Sequence, residues 1–320
     1  MLANMLEAYT LITSGYGGYM QRFIRLAVSL EKCCRGKPIP LVVAATVLCC
    51  GFPGTACLAE DIPAPAEYTR DLADQMKGAT QYHVAPDEDT IPNDKYGDDV
   101  RLGRKIFTET YKYGRRYAGN DLSCANCHLQ AGRQPNAGPM WAAYGMYPAY
   151  REKTDRSNSL EERIQQCFQF SLNGFAPALD APELRALVTY IHFLSKGVPI
   201  GVEMPGRGFP QVIRTGSDPS PTRGGDVYKA KCTICHGADG AGEKKAGGGY
   251  TWPPLWGMDA YNKGAGMAKN ALLAGFIKAN MPLGQPWSLS DQEALDVAAY
   301  INLQIRPYDP RKGLLKGLFD

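Results

Sequence analysis

Apolar residues recur at helical spacing in two similar sets along the chain, separated by a stretch with no period at all. In the first set Gly103-Arg104-Lys105-Ile106-Phe107 lies in an amphipathic segment, and Gly225-Asp226-Val227-Tyr228-Lys229 holds the matching place in the second. Each set closes on a longer helical pattern. Leu179-Asp180-Ala181-Pro182-Glu183 opens one and Leu289-Ser290-Asp291-Gln292-Glu293 the other, and both run on to a Tyr-Ile pair, Tyr190-Ile191 and Tyr300-Ile301. Asp180 with Glu183, and Ser290 with Glu293, have the spacing of a capping box, in which cap and glutamate side chains satisfy the free donors of a helix start. Between the sets, residues 197–225 are dense in Gly and Pro, which predicts an extended, irregular connection with a boundary near Ser217. The pattern is that of a duplicated, mainly α chain: two helical units in tandem, joined by a long Gly/Pro-rich linker.

A third apolar run, Leu41 to Phe52, has a different character. Arg22, Arg25, Lys32, Arg35 and Lys37 precede it and small residues follow up to Ala59, the layout of an export signal. Twelve apolar residues are too few to cross a bilayer comfortably, so the reading is a removable segment over residues 1–59 and a mature chain without a stable membrane span. Residues 60–98, with several Pro and Asp, read as an arm laid on the first unit, so that the units are 60–216 and 217–320. Removing the segment takes the net charge from +3 to zero, which leaves no basic face and argues against nucleic acid as a partner.

Cysteine use changes the picture more. Five of the ten cysteines fall in the leader, and four of the rest make two pentads, Cys124-Ala125-Asn126-Cys127-His128 and Cys232-Thr233-Ile234-Cys235-His236. A CxxCH pentad is the attachment signal of haem c: the paired thiols form thioethers to the porphyrin, and the imidazole next to them reaches the iron. Two covalently bound haem c groups are expected, one per unit, with His128 and His236 as proximal ligands. Each unit is then cytochrome c-like, and each haem supplies much of the apolar surface that so small a unit needs as a core.

The distal ligands follow from position. Met281 stands just before the final helix of the second unit, after a helical stretch that ends near Ala279, and its thioether suits a second axial ligand; Met258 and Met267 are the competing methionines. Aligning the units puts Arg163-Ile164-Gln165-Gln166-Cys167-Phe168 in the matching place of the first, so Cys167, the one cysteine left over, takes the distal position. A buried Cys167 with Met140 or Met146 on the iron is the alternative. His192 aligns with Asn302 and reads as structural, and His83 falls in the arm. A thiolate on iron drives the potential down, which is poor for a simple shuttle but suits sulfur chemistry, because the released Cys167 is a nucleophile able to form a mixed sulfur-sulfur bond.

These residues carry a resemblance. The run Gly119 to His128, then Tyr147-Pro148-Ala149-Tyr150-Arg151, then Arg163 to Gly174 around Cys167, resembles the periplasmic dihaem thiosulfate dehydrogenases, over nearly all of residues 90–305. The resemblance implies joining two thiosulfates into tetrathionate, or the reverse, at the haem whose distal ligand matches Cys167, with Arg163 and Ser171 lining the pocket. It also implies a periplasmic location and a small c-type cytochrome as electron partner. Thiosulfate is a dianion beside an anionic sulfur, so a positive residue one turn from Cys167 makes physical sense at Arg163. Arg151, Lys153 and Arg156 add charge upstream, in a run that reads equally well as a solvated cluster. Some family members carry a lysine directly before the methionine; here that place holds Asn280. Two other readings remain open: a dihaem electron carrier with no substrate, and a haem subunit of a multi-protein sulfur-oxidation complex.

Overall fold

The computed structural model describes residues 82–214 and 216–312. The expected export segment and the first part of the expected arm, residues 1–81, lie outside them. Six helices of seven or more residues build the fold: α1 (Lys95–Thr108), α2 (Leu160–Gln166), α3 (Pro182–Leu194), α4 (Pro221–Lys231), α5 (Asn270–Asn280) and α6 (Asp291–Leu303). None of the helices among the described residues is long and apolar enough to cross a membrane.

Helix α1 starts where the Asp94 carboxylate accepts a 2.8 Å bond from the Gly97 amide. Its buried residues Val100, Gly103, Ile106 and Phe107 then fall three or four apart, on the stripe that faces α3. Gly103 lets the two backbones meet, since a Cβ there would lie 2.0 Å from the Ala186 carbonyl oxygen and 2.8 Å from Tyr190 Cβ. The second unit repeats the crossing, with α4 against α6: a Cβ on Gly224 would lie 2.0 Å from the Asp296 carbonyl oxygen and 2.9 Å from Tyr300 Cβ. Gly224, not Gly225, is therefore the partner of Gly103. The internal repeat is shifted by one residue from the sequence pairing, which brings Phe107 into register with Tyr228. Both rings stand on the tyrosine of the closing helix, Phe107 on Tyr190 at 5.6 Å and Tyr228 on Tyr300 at 5.4 Å.

Only one of the two expected capping boxes forms. Ser290 and Glu293 close theirs at the start of α6, with bonds of 2.8 and 3.2 Å. At α3, Pro182 takes the first helical position and Ala181 the cap, so Asp180 lies one residue too far back. Glu183 instead receives the Tyr117 hydroxyl at 3.4 Å. A box the pairing did not anticipate, Ser159 with Glu162, opens α2.

The linker is irregular from Gly197 to Ser220, but Gly224 and Gly225 belong to α4, which begins at Pro221 behind its Ser220 cap. Its course is fixed by both units. Gly206 and Gly208 accept bonds of 2.7 and 2.8 Å from the amides of Asn136 and Gly138, while the Phe209 ring stands 5.7 Å from Phe276 of α5. The arm is seated too: Ala85 and Ile91 are buried in the first core, and Arg133 donates to the Ala85 carbonyl at 3.2 Å. Two antiparallel ribbons interrupt the helices: β1 (Ala149–Arg151) with β2 (Arg156–Asn158), and β3 (Glu243–Lys244) with β4 (Tyr250–Trp252). Two apolar cores result. The second draws in Ala137, Phe170, Cys127 and Leu129 from the first unit, so the units meet directly beside the first pentad.

Candidate haem and substrate site

In each unit the pentad folds as a short turn that leaves its histidine ring held by one backbone carbonyl. His128 Nδ1 bonds to the Gly138 oxygen at 2.7 Å and His236 Nδ1 to the Pro253 oxygen at 2.8 Å. Used as a donor there, Nδ1 leaves Nε2 with its lone pair outward, the tautomer an iron ligand needs. Burial pushes both imidazoles below their ordinary range and favours that neutral form. The thiols respond the opposite way: burial pushes Cys124 up to about 12, and Cys127 and Cys232 up to about 11. An environment so hostile to thiolate suits uncharged thioethers and not a bare thiolate-bound metal. Nη2 of Arg133, five residues after His128, is a buried donor without a partner, as a site built for an anionic group would leave it. The residues thus fit a covalent haem c in each unit, through Cys124, Cys127 and His128 and through Cys232, Cys235 and His236.

Cys167 lies where α2 gives way to a π-helical turn, Cys167–Ser171, closed by the Leu172 amide on the Cys167 carbonyl at 3.0 Å. The extra residue in that turn re-aims the side chains on either side of it, a distortion common at functional sites. Arg163, one α-turn earlier, donates from Nη1 to the Cys167 sulfur at 3.2 Å. Charge at Cys167 is the first cause holding the Arg163 guanidinium pKa up, and the Tyr147 hydroxyl adds to it. The same charge acts on Cys124 and Cys127, so the sulfur stands near the first pentad. Ser171 ends the π turn.

The other candidates are occupied elsewhere. His192 Nδ1 pairs with the Tyr96 hydroxyl at 2.9 Å, and its ring meets Tyr144 at 4.7 Å. His83 reaches the Leu194 carbonyl at 3.3 Å and stands on Trp141. Met140 packs into the first core. In the second unit Met267 is buried, Met258 is exposed, and Met281 follows α5 directly and packs against the core that holds Cys232. Asn280, where a lysine was a possibility, is buried and turned to the Asn136 and Phe276 carbonyls, at 3.0 and 2.9 Å.

Two residues beside Arg163 and the π turn were not singled out by the sequence pattern. Tyr147 stands with Arg163, whose guanidinium its hydroxyl supports. Lys153 occupies the tip of the β1-β2 ribbon, turned inward against Phe170 with Nζ 3.5 Å from the ring centroid, while Arg156 of the same run is engaged with Glu162 at 2.7 Å on the surface. A charged run alone carries no sign of a hairpin; the turn residue Asp155, at a φ of 52°, was its local signal.

Residues 112–200 match the family model described as SoxA/TsdA, cytochrome c domain, and residues 221–303 match that of cytochrome c. The chain is 50% identical over 236 residues to the thiosulfate dehydrogenase of Stutzerimonas stutzeri (strain A1501), covering 73% of this chain and 76% of that protein. It belongs to the thiosulfate dehydrogenase family. The family protein of Thiomonas intermedia (strain K12) is 44% identical over 274 residues, 86% of each chain. A solved thiosulfate dehydrogenase, TsdBA from Marichromatium purpuratum, superposes with a TM-score of 0.70 at 43% identity and covers 73% of this chain. This chain spans about half of that longer one, 51%. As a member of the family it is an oxidoreductase with two cytochrome c domains and two covalently bound haem c groups.

Proposed function

We propose that the protein couples two thiosulfates into tetrathionate at the first haem site, with Cys167 as distal ligand and nucleophile and with electrons leaving through the second site, where Met281 is the distal ligand. The observation that carries the reading is the Arg163 guanidinium 3.2 Å from the Cys167 sulfur, beside a CxxCH pentad. A haem c at each pentad, when bound, supplies one-electron redox chemistry.

Cys167 and the terminal sulfur of one thiosulfate form an S–S bond as two electrons depart. A second thiosulfate then attacks the sulfane sulfur of that adduct; the new S–S bond completes tetrathionate, and Cys167 leaves with its electron pair. The sum is two thiosulfate dianions to one tetrathionate dianion and two electrons, with no proton moved. Arg163 pairs with the Cys167 sulfur before attack and with the substrate's sulfonate afterwards, so the anions need not repel each other unscreened. Ser171 lines the same pocket. Residues 60–216 form the catalytic unit and 217–320 the electron-transfer unit, after export to the periplasm, where a small c-type cytochrome exchanges the electrons.

The isolated holoprotein is expected to reduce an artificial acceptor with thiosulfate and to release tetrathionate; tetrathionate with a reduced donor tests the reverse direction. Inactivity in both would favour a plain carrier or a subunit that needs partners. Arg163→Gln is expected to lower kcat/KM about ten- to hundredfold, the worth of one charge-assisted bond, with the second haem's spectrum unchanged. Turnover equal to wild type would remove Arg163 from the site.

A further inference from the structure

The end of the second domain returns to the first. After α6 the chain runs back along residues 257–263, with the Ile305 carbonyl accepting from Gly257 at 2.8 Å and the Pro307 carbonyl from Lys263 at 2.9 Å. It delivers Arg311 to the face of Phe170, the guanidinium carbon 5.0 Å from the ring centroid. Phe170 lies in the same π turn as Cys167, three residues on. Lys153 stands over that same ring and donates to the Gly264 carbonyl. A cavity of about 360 Å³ opens here, lined by Lys153, Arg156, Glu162, Gln169, Phe170 and Arg311 among others. That volume is ample for a small oxyanion, at the low end of ligand pockets.

The charges around it are unbalanced. Asp309 holds Arg311, with Nε at 2.9 Å, and its charge also reaches Lys153. Among the described residues no carboxylate pairs directly with Lys153. Burial, then Arg311 and Arg163, push its amine down to about 8, as expected of a cation short of counter-charge. Arg156 is answered by Glu162 and Arg311 by Asp309, which leaves Lys153, in a cavity next to the turn that carries the nucleophile, as the positive charge without a carboxylate of its own.

Resting on the function proposed above, we propose that Lys153 and Arg311 form a second anion subsite, which holds the sulfonate of the second thiosulfate, or the far sulfonate of tetrathionate, while the first is engaged at Cys167. The reaction joins two dianions, so a site with one cation would have to bring them together against their repulsion. Arg163 serves one sulfonate. Lys153 and Arg311 serve the other, and Arg311 makes the second domain part of the binding site and not solely an electron relay.

The test uses oxidised holoprotein without an electron donor, titrated with tetrathionate by calorimetry, and in parallel the thiosulfate assay. Arg311→Gln and Lys153→Gln are each expected to raise the tetrathionate Kd and the thiosulfate KM about tenfold, about 1.4 kcal/mol, with kcat and both haem spectra little changed. Lys153→Arg and Arg311→Lys, which keep the charge, are expected to recover most of the affinity; failure of both to do so would assign the loss to disturbed packing and overturn the proposal. It is equally overturned if both glutamine variants stay within about twofold of wild type in Kd and KM. Should the wild type turn over no thiosulfate, the function proposed above falls, while calorimetry still decides the subsite: binding lost in the variants supports it, and equal binding or none sinks it.

Discussion

Cys167→Met is expected to abolish thiosulfate-dependent reduction, by at least about a thousandfold in kcat, or about 4 kcal/mol of barrier, while both haems remain covalently attached. The thioether of methionine can still meet iron, as in ordinary electron-carrying cytochromes, but its sulfur already carries two carbons, so it cannot form a neutral S–S adduct and leave again as a thiolate. The variant thus separates ligation from chemistry. Its side effect is calculable in sign: the Arg163 guanidinium loses its sulfur partner at 3.2 Å, which leaves a half-buried donor under-satisfied at a cost of about 1–3 kcal/mol. Melting temperature should fall slightly, and the spectrum of the second haem should not move. Retention of thiosulfate turnover within about tenfold of wild type would show that Cys167 is no nucleophile, and the chain would have to work by direct electron removal from thiosulfate. Cys167→Ser, closer in size, controls for crowding by the longer methionine.

The sequence is most legible where chemistry is dictated by covalent spacing. The pentads declare two haems, because no other use of Cys-x-x-Cys-His twice in one chain satisfies four thiols and two imidazoles so directly. The tandem repeat is legible too, through the closing Tyr-Ile helices, since their stripe must face the first helix of the same unit. Its register is less so. Gly224 and Gly225 are adjacent, and only the approach of Asp296 tells which one lies at the crossing. The second cap failed for a local reason, Pro182, which takes the first helical position whatever the acid two residues before it offers.

The site was legible only along one segment. Arg163, Cys167 and Ser171 lie on consecutive turns; Cys167 came from aligning the two units, and Arg163 and Ser171 from the family resemblance. Tyr147, Lys153 and Arg311 come from other segments, two of them from short irregular pieces whose direction no periodicity encodes. Lys153 and Arg311 meet at Phe170, whose ring receives both and whose backbone oxygen accepts from the Asn262 amide at 3.0 Å, tying the second unit to the π turn. Asn262 itself is fully buried and reaches the Gln169 carbonyl at 2.9 Å and the Asn173 side chain at 3.1 Å. A polar residue so placed acts as a pin. The domain contact and the proposed anion subsite therefore share Phe170 and the π turn, so a change at the contact is expected to be felt at the subsite.

The largest structural effect is expected from Gly103→Val. The helix crossing of α1 and α3 leaves no room for a side chain: the nearest atoms to a new Cβ are the backbone oxygen and carbon of Ala186, at 2.0 and 2.6 Å, and backbone cannot rotate aside as a side-chain tip can. The helices must separate, which also parts Phe107 from Tyr190 and opens the core against which the first haem packs. The cost should be at the upper end of overpacking or beyond, at least about 3 kcal/mol, or roughly 6–12 °C in melting temperature for a chain of this size. Loss should appear first as a poor yield of protein carrying the first haem, because thioether formation needs the pocket to close around the porphyrin. Gly216→Ala, at a position with nothing within 4 Å of the added Cβ, serves as the neutral control. A melting temperature for Gly103→Val within about 2 °C of wild type, with full haem content, would mean that the crossing tolerates several tenths of an ångström more separation than its packing implies. The same substitution at Gly224 should strike the second unit in the same way, since Asp296 presents the same backbone oxygen at the same 2.0 Å. There the first haem should survive while the outlet for electrons is lost, so thiosulfate would still perturb the first haem without sustained turnover.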